Sequence, residues 1–149
     1  RTGHMNESAN ISEREAFWAK VRNKVEFGPS FSGRMLSWFP GDFKANPVVQ
    51  IWHIKLNNPT AFKSAHEKFF KSIGDYIDGK TVGFGTIDVG SPDGSTHWVA
   101  IATNNKDGGL IKIHHDFDTR FSKESTEWYE TNGGVEVMDD FSFVIKRSY

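Results

Sequence analysis

Two histidines in this chain fall inside strand-like segments, where a folded sheet would fix their direction. His53 lies in the middle of VVQIWHIKL, between Trp52 and Ile54, and His97 opens HWVAIAT beside Trp98. Alternation along a strand groups His53 with Val49, Ile51 and Lys55, and His97 with Val99 and Ile101. If both point into one pocket they form a general acid/base pair, because imidazole exchanges protons near neutral pH. The bland alternative is that each bonds a neighbouring group and fills space. His66 sits on the polar flank of a helical segment, one turn from Phe62 and Phe70, where water is the ordinary neighbour. In His114-His115-Asp116-Phe117-Asp118, His114 and Asp118 share a helix face and His115 points about 100° away. Two ligands on one face are not a metal site, and the spacing places no third, so no metal and no cofactor are expected. Asp88, Asp139 and Asp140 add carboxylates on or near strands, and Lys55 is a base only if buried. Trp38, Trp52, Trp98 and Tyr129, with Phe69, Phe84 and His66, are the candidate walls of a ligand pocket. Trp128 is a further stacking candidate. There is no Ser/His/Asp arrangement and no phosphate-cradling loop; Gly83 and Gly85 lie within a strand rather than at a strand-to-helix turn.

Composition narrows the chemistry further. The chain has 149 residues, a net charge of −1 from well-mixed signs, and no cysteine. That excludes disulfides, thiolate nucleophiles and cysteine-ligated metals. With no basic stripe to neutralise phosphates, a nucleic-acid partner is not expected. Residues 1–5 read as a cloning remnant and start methionine, so His4 is set aside. The following Asn6-Glu7-Ser8-Ala9-Asn10 is polar, and no long apolar run follows, so a cytoplasmic protein without a membrane partner is expected. Thirteen Phe and five Trp are more than a core of this size commonly needs, and a roomy apolar pocket would use the surplus.

The elements that must position these residues follow from period and caps. Ser12 and Glu15 match a capping box ahead of Phe17, Trp18, Val21 and Val25, predicting a helix that ends at Gly28-Pro29. A short strand is expected over 34–39, stopped by Pro40-Gly41. VVQIWHIKL, residues 48–56, is the strongest strand signal. Asn57-Asn58-Pro59 caps a helix with a Phe62, Ala65, Phe69, Ile73 and Tyr76 stripe, ending near Asp78-Gly79. Residues 81–89 and 96–103 form a hairpin around Gly90-Ser91-Pro92-Asp93-Gly94. A second helix carries Leu110, Ile113, Phe117 and Phe121, frays over 122–126 and gives way to a loop over 127–134. A last strand spans 135–146.

From Val48 onward the order is strand, helix, strand, strand, helix, strand, the split βαβ arrangement of an antiparallel α+β, ferredoxin-like domain over 47–149. Residues 6–46 form an added αβ extension, all within one globular domain. Two helices cover one sheet face, yet VVQIWHIKL and THWVAIAT are apolar on both. A second copy packed sheet against sheet, an isologous homodimer, resolves this.

The segments VVQIWHIKLNNPTAFKSAHEKFF, TVGFGTIDVGSPDGSTHWVAIATNN and WYETNGGVEVMDDFSFVIKR together resemble the dimeric α+β barrel superfamily, over roughly residues 47–147. The resemblance implies a homodimer with a pocket between sheet and helices. Members include cofactor-independent monooxygenases, polyketide cyclases and haem-degrading enzymes; the Asn/Trp/His constellation of the haem degraders does not align here. Two functions are in play. One is an enzyme binding or transforming a small hydrophobic or aromatic compound, with His53 and His97 moving protons. The other is a non-catalytic, ligand-binding or stress-related dimer. Haem or metal binding through His66 or His114 is a third, weaker possibility.

Overall fold

A computed structural model describes residues 31–91, 93–104 and 108–146, together with Glu15, Ala16, Ala19 and Lys20. Those four are exposed and Glu15, Ala16, Ala19 and Lys20 are helical; the Ser12 cap and the Phe17, Trp18, Val21 and Val25 stripe lie outside the described residues. By contact the chain divides into two compact units, residues 1–30 and 31–149. The second is the subject below.

It is α+β. Five strands, β1 (Met35–Phe39), β2 (Val48–Leu56), β3 (Val82–Thr86), β4 (His97–Thr103) and β5 (Val135–Val144), form one open antiparallel sheet in the order β1-β3-β4-β2-β5. Four helices are described: α1 (Pro59–Ser72), α2 (Gly74–Ile77), α3 (Gly109–Asp118) and α4 (Ser122–Thr131). None of them is long and apolar enough to cross a membrane.

The local reasons are legible residue by residue. β2, apolar on both sides, is an interior strand that pairs with β4 along one edge and β5 along the other. Asn58 caps α1, its Oδ1 accepting from the Ala61 amide at 3.0 Å, with Pro59 in the first turn. The helix expected to run to Asp78 breaks instead at Ile73, ahead of Gly74, and resumes as the single turn α2. The loop expected over 127–134 is helix as far as Thr131. α3 stops at Thr119, and α4 starts afresh after Phe121. Its stripe is easy to miss because Ser125 stands where an apolar residue would be, its hydroxyl donating to the Phe117 carbonyl at 2.7 Å. Gly133 and Gly134, at φ of 75° and 92°, then turn the chain into β5.

Register assigns the faces. Trp52 pairs with Val99, Gln50 with Ile101, and Phe84 with Val99. These side chains and their alternates (Val82, Ile54, Leu56, Val135, Val137) meet α1, α3 and α4. The core there joins Phe69, Phe70 and Ile73 of α1 and its end to Val82, Ile101 and Ile113, and Phe62 to Ile54, Leu56 and Phe84. Lys68 and Glu127 pair across α1 and α4. On the other face lie His53, Trp98, Trp38, Phe141 and Phe143. Trp38 and Trp98 rest over Gly83 and Gly85, where a Cβ would come within 2.9 Å of the Trp38 ring and 2.6 Å of the Trp98 ring. Trp38, Phe141 and Phe143 remain 41%, 39% and 42% exposed.

Candidate functional site

A cavity of about 270 Å³ lies between the helix-bearing face of the sheet and α1, α3 and α4. Its floor is Trp52, Ile54, Val99 and Ile101 of β2 and β4. α1 contributes Phe62, His66, Phe69 and Phe70 on one wall, while Phe117, Ser125 and Trp128 of α3 and α4 form the other. Val135 and Val137 of β5 close the remaining side. Its polar, accessible groups gather at the rim, where His114, Asp118 and Tyr129 stand. The His114 ring meets Trp52 edge-on at 5.6 Å, and its Nε2 lies 3.3 Å from the Gln50 Oε1.

Deep in this apolar chamber sits one titratable group. His66 is 1% exposed, stacked on Phe62 at 5.9 Å and tilted against Phe70 at 4.8 Å and Phe84 at 5.4 Å. The polar-flank expectation for His66 is therefore corrected. Phe62, His66 and Phe70 recur every fourth residue, so one helix face carries all three inward. Its Nε2 is buried without a hydrogen-bond partner among the described residues. Loss of water drives its pKa down to about 4, only partly opposed by the charge of Glu67. The ring is neutral at physiological pH and is a weak base.

The other sequence candidates separate into two groups. Trp52, His66, Phe69 and Tyr129 line the cavity. Phe84 is fully buried behind it, in contact with Phe62 and His66. Trp38 and Trp98 belong to the opposite face of the sheet. His53 and His97 are not brought together. His97 points to the helix face, stacked on Phe84 at 5.5 Å, with its Nδ1 2.8 Å from the Thr96 hydroxyl. Burial lowers its pKa, partly offset by Asp88. His53 points to the other face, edge-on to Phe31 at 4.7 Å and Phe141 at 5.4 Å.

Sequence reasoning did not place Phe62, Phe117 or Ser125 in the cavity, although Phe62 and Phe117 lie on the helix stripes it identified. Trp128, a stacking candidate in the sequence, was assigned to a loop and is on α4. The rest of the helix layer is held by Tyr76, whose hydroxyl donates to Asp116 at 2.7 Å, with Lys112 also on that carboxylate. These bonds and the Lys112 charge hold Asp116 below the usual carboxylate range, while burial and Asp116 push Tyr76 up.

Comparison of the chain with protein-family models, with curated proteins and with solved structures finds no match.

Proposed function

We propose that this protein binds a small, largely apolar compound of one or two aromatic rings, carrying one hydroxyl or amine, in the cavity between sheet and helices. The observation that carries the reading is the unpartnered His66 Nε2 inside an aromatic-walled chamber. A buried polar atom without a partner costs about 1–3 kcal/mol, and a ligand O–H or N–H reaching it would recover part of that. An apolar cavity of about 150 Å³ suffices for benzene, so 270 Å³ suits one or two rings rather than a drug-sized molecule.

Binding is better supported than turnover. A proton-transfer pair of His53 and His97 would have to work through the sheet, and His66 is too weak a base to take a proton at neutral pH. A monooxygenase- or cyclase-like reaction is therefore the weaker branch, and a non-catalytic carrier or sensor the stronger.

The sheet order supports a ferredoxin-like reading of residues 47–149, with β1 added at one edge, since β3-β4-β2-β5 is the order that split βαβ units produce. The partly exposed Trp38, Phe141 and Phe143, on the sheet face away from α1, α3 and α4, support a homodimer packed through that face.

The test is a panel of phenols, anilines, naphthols and their methyl ethers, screened by thermal shift against the unmodified chain and a Val99→Trp variant that fills the cavity. Stabilisation by hydroxyl- or amine-bearing rings, lost on filling, is the expected result. No stabilisation by any ring, or equal stabilisation of the filled variant, would reject the reading.

A further inference from the structure

On the face of the sheet away from the cavity, we infer that His53, Asp93 and Asp139 form a binding site for one divalent transition-metal ion. One ligand atom from each of the three lies within 4.8 Å of the others. The residues come from three separate places in the chain: the middle of β2, the turn between β3 and β4, and the middle of β5. No local sequence spacing announces them.

Two features of the backbone aim these groups at one point. β5 carries a bulge opposite β2: Ile54 pairs with Val137, but His53 pairs with Asp139, so Met138 is the extra residue. Without it, Met138 would stand opposite His53. Bulges commonly re-aim a side chain in this way. In the turn, the amide and hydroxyl of Ser95 both donate to Asp93 Oδ1, at 2.9 and 2.6 Å. That holds the carboxylate with its Oδ2 turned toward His53 Nδ1, 3.5 Å away. The Asp140 amide likewise donates to Asp139 Oδ1 at 2.9 Å. Carboxylates oriented from behind are what a metal site requires.

The polar atoms themselves ask for a partner. His53 is 4% exposed, and both its ring nitrogens and Asp93 Oδ2 are buried with no hydrogen-bond partner among the described residues. One cation would serve Asp93 Oδ2 and one ring nitrogen of His53 together. Metal–ligand distances of about 2.0–2.2 Å put neighbouring ligands of a tetrahedral ion roughly 3.3–3.6 Å apart, which the His53–Asp93 pair already meets. Asp139 is exposed and has to swing in by about an ångström. Two carboxylates balance a double charge. The imidazole selects against magnesium and calcium and for zinc, iron, copper or nickel. Three protein ligands leave a tetrahedral ion one position for water or an anion.

The experiment uses the full chain, stripped with a chelator and titrated with Zn²⁺ by calorimetry and with Co²⁺ by visible absorption. Expected are one ion per chain at micromolar or tighter affinity, a visible Co²⁺ band, and a Zn²⁺-induced shift of the His53 imidazole ¹⁵N resonances. Asp139→Asn should weaken Zn²⁺ at least about tenfold while melting at the unmodified temperature in chelator. Absence of stoichiometric binding would overturn the site and leave His53 with Asp93 as its only nearby carboxylate within 4.0 Å among the described residues. So would binding that leaves the His53 resonances unmoved, or binding undiminished in Asp139→Asn and Asp93→Asn. The His53 resonance reads the unmodified protein, so a poorly folding variant does not decide the matter.

Discussion

His53 and His97 project from neighbouring strands to opposite faces of one sheet: His53 lies across from Trp98, and His97 across from Ile54. The single-residue offset is enough, because side chains alternate strictly along a strand. His97 rests on Phe84 under the helices, and His53 lies between Phe31 and Phe141 on the other side. Among the described residues they share no side-chain partner. A double-mutant cycle of His53→Gln and His97→Gln, read by urea denaturation, should therefore show a coupling within about 0.5 kcal/mol. A coupling well above 1 kcal/mol would mean that the two rings communicate.

Stability should fall on mild acidification because of His66. Its folded pKa is about 4, below the unfolded value of 6.5, so the unfolded chain takes up the proton first. Stability is whole above pH 6.5 and is lost as pH falls toward 4. Between pH 7 and pH 5 this one group accounts for about 2 kcal/mol. Denaturant midpoints at the two pH values measure it. His66→Phe should remove most of the slope, leaving the share of His97, whose pKa burial also lowers. A slope unchanged in His66→Phe would show that His66 is not held neutral.

Association is expected through the sheet face away from α1, α3 and α4. Sedimentation should give a dimer at micromolar concentration, and Phe143→Asp or Phe141→Asp, which place charge on that face, should give a monomer that still folds. Both residues are more than a third exposed in the single chain, so their replacement has little reason to unfold it. An unmodified chain that sediments as a monomer would contradict the covered-face argument.

Gly85 is the tightest glycine of β3. A Cβ there would come 2.4 Å from the Arg34 carbonyl oxygen and 2.6 Å from the Trp98 indole. Gly85→Ala should lower stability by about 1–3 kcal/mol and move the Trp98 emission, both readable in one fluorescence-monitored unfolding experiment. Indifference to the change would mean that the indole does not lie over the strand.

Much of this architecture was legible from residue order. VVQIWHIKL gives β2 to the residue, Asn58-Pro59 gives the start of α1, and Phe69, Trp52 and Tyr129 do line a cavity. The failures share a physical cause. Periodicity says that two sets of residues lie on opposite faces of a strand, but not which face the helices cover, so His53 and His97 were equally plausible in the pocket. His66 was placed on the polar flank of its helix although one turn separates it from Phe62 and Phe70, and that i,i+4 relation is what carries it inward. The His53, Asp93 and Asp139 cluster depends on a bulge and on a turn folding back over β2, and neither has a local signature.

The central claim is that the helix-side cavity accepts an aromatic ring through His66. A two-dimensional NMR titration of ¹⁵N-labelled protein with a ring-bearing phenol tests it most directly. Saturable shifts of the Trp52 and Trp128 indole and His66 imidazole resonances, with Trp38 and Trp98 unmoved, are predicted, as is a loss in affinity of roughly 3- to 10-fold in His66→Phe. Shifts confined to Trp38 and Trp98, or no saturable shift with any phenol or naphthol, would contradict it.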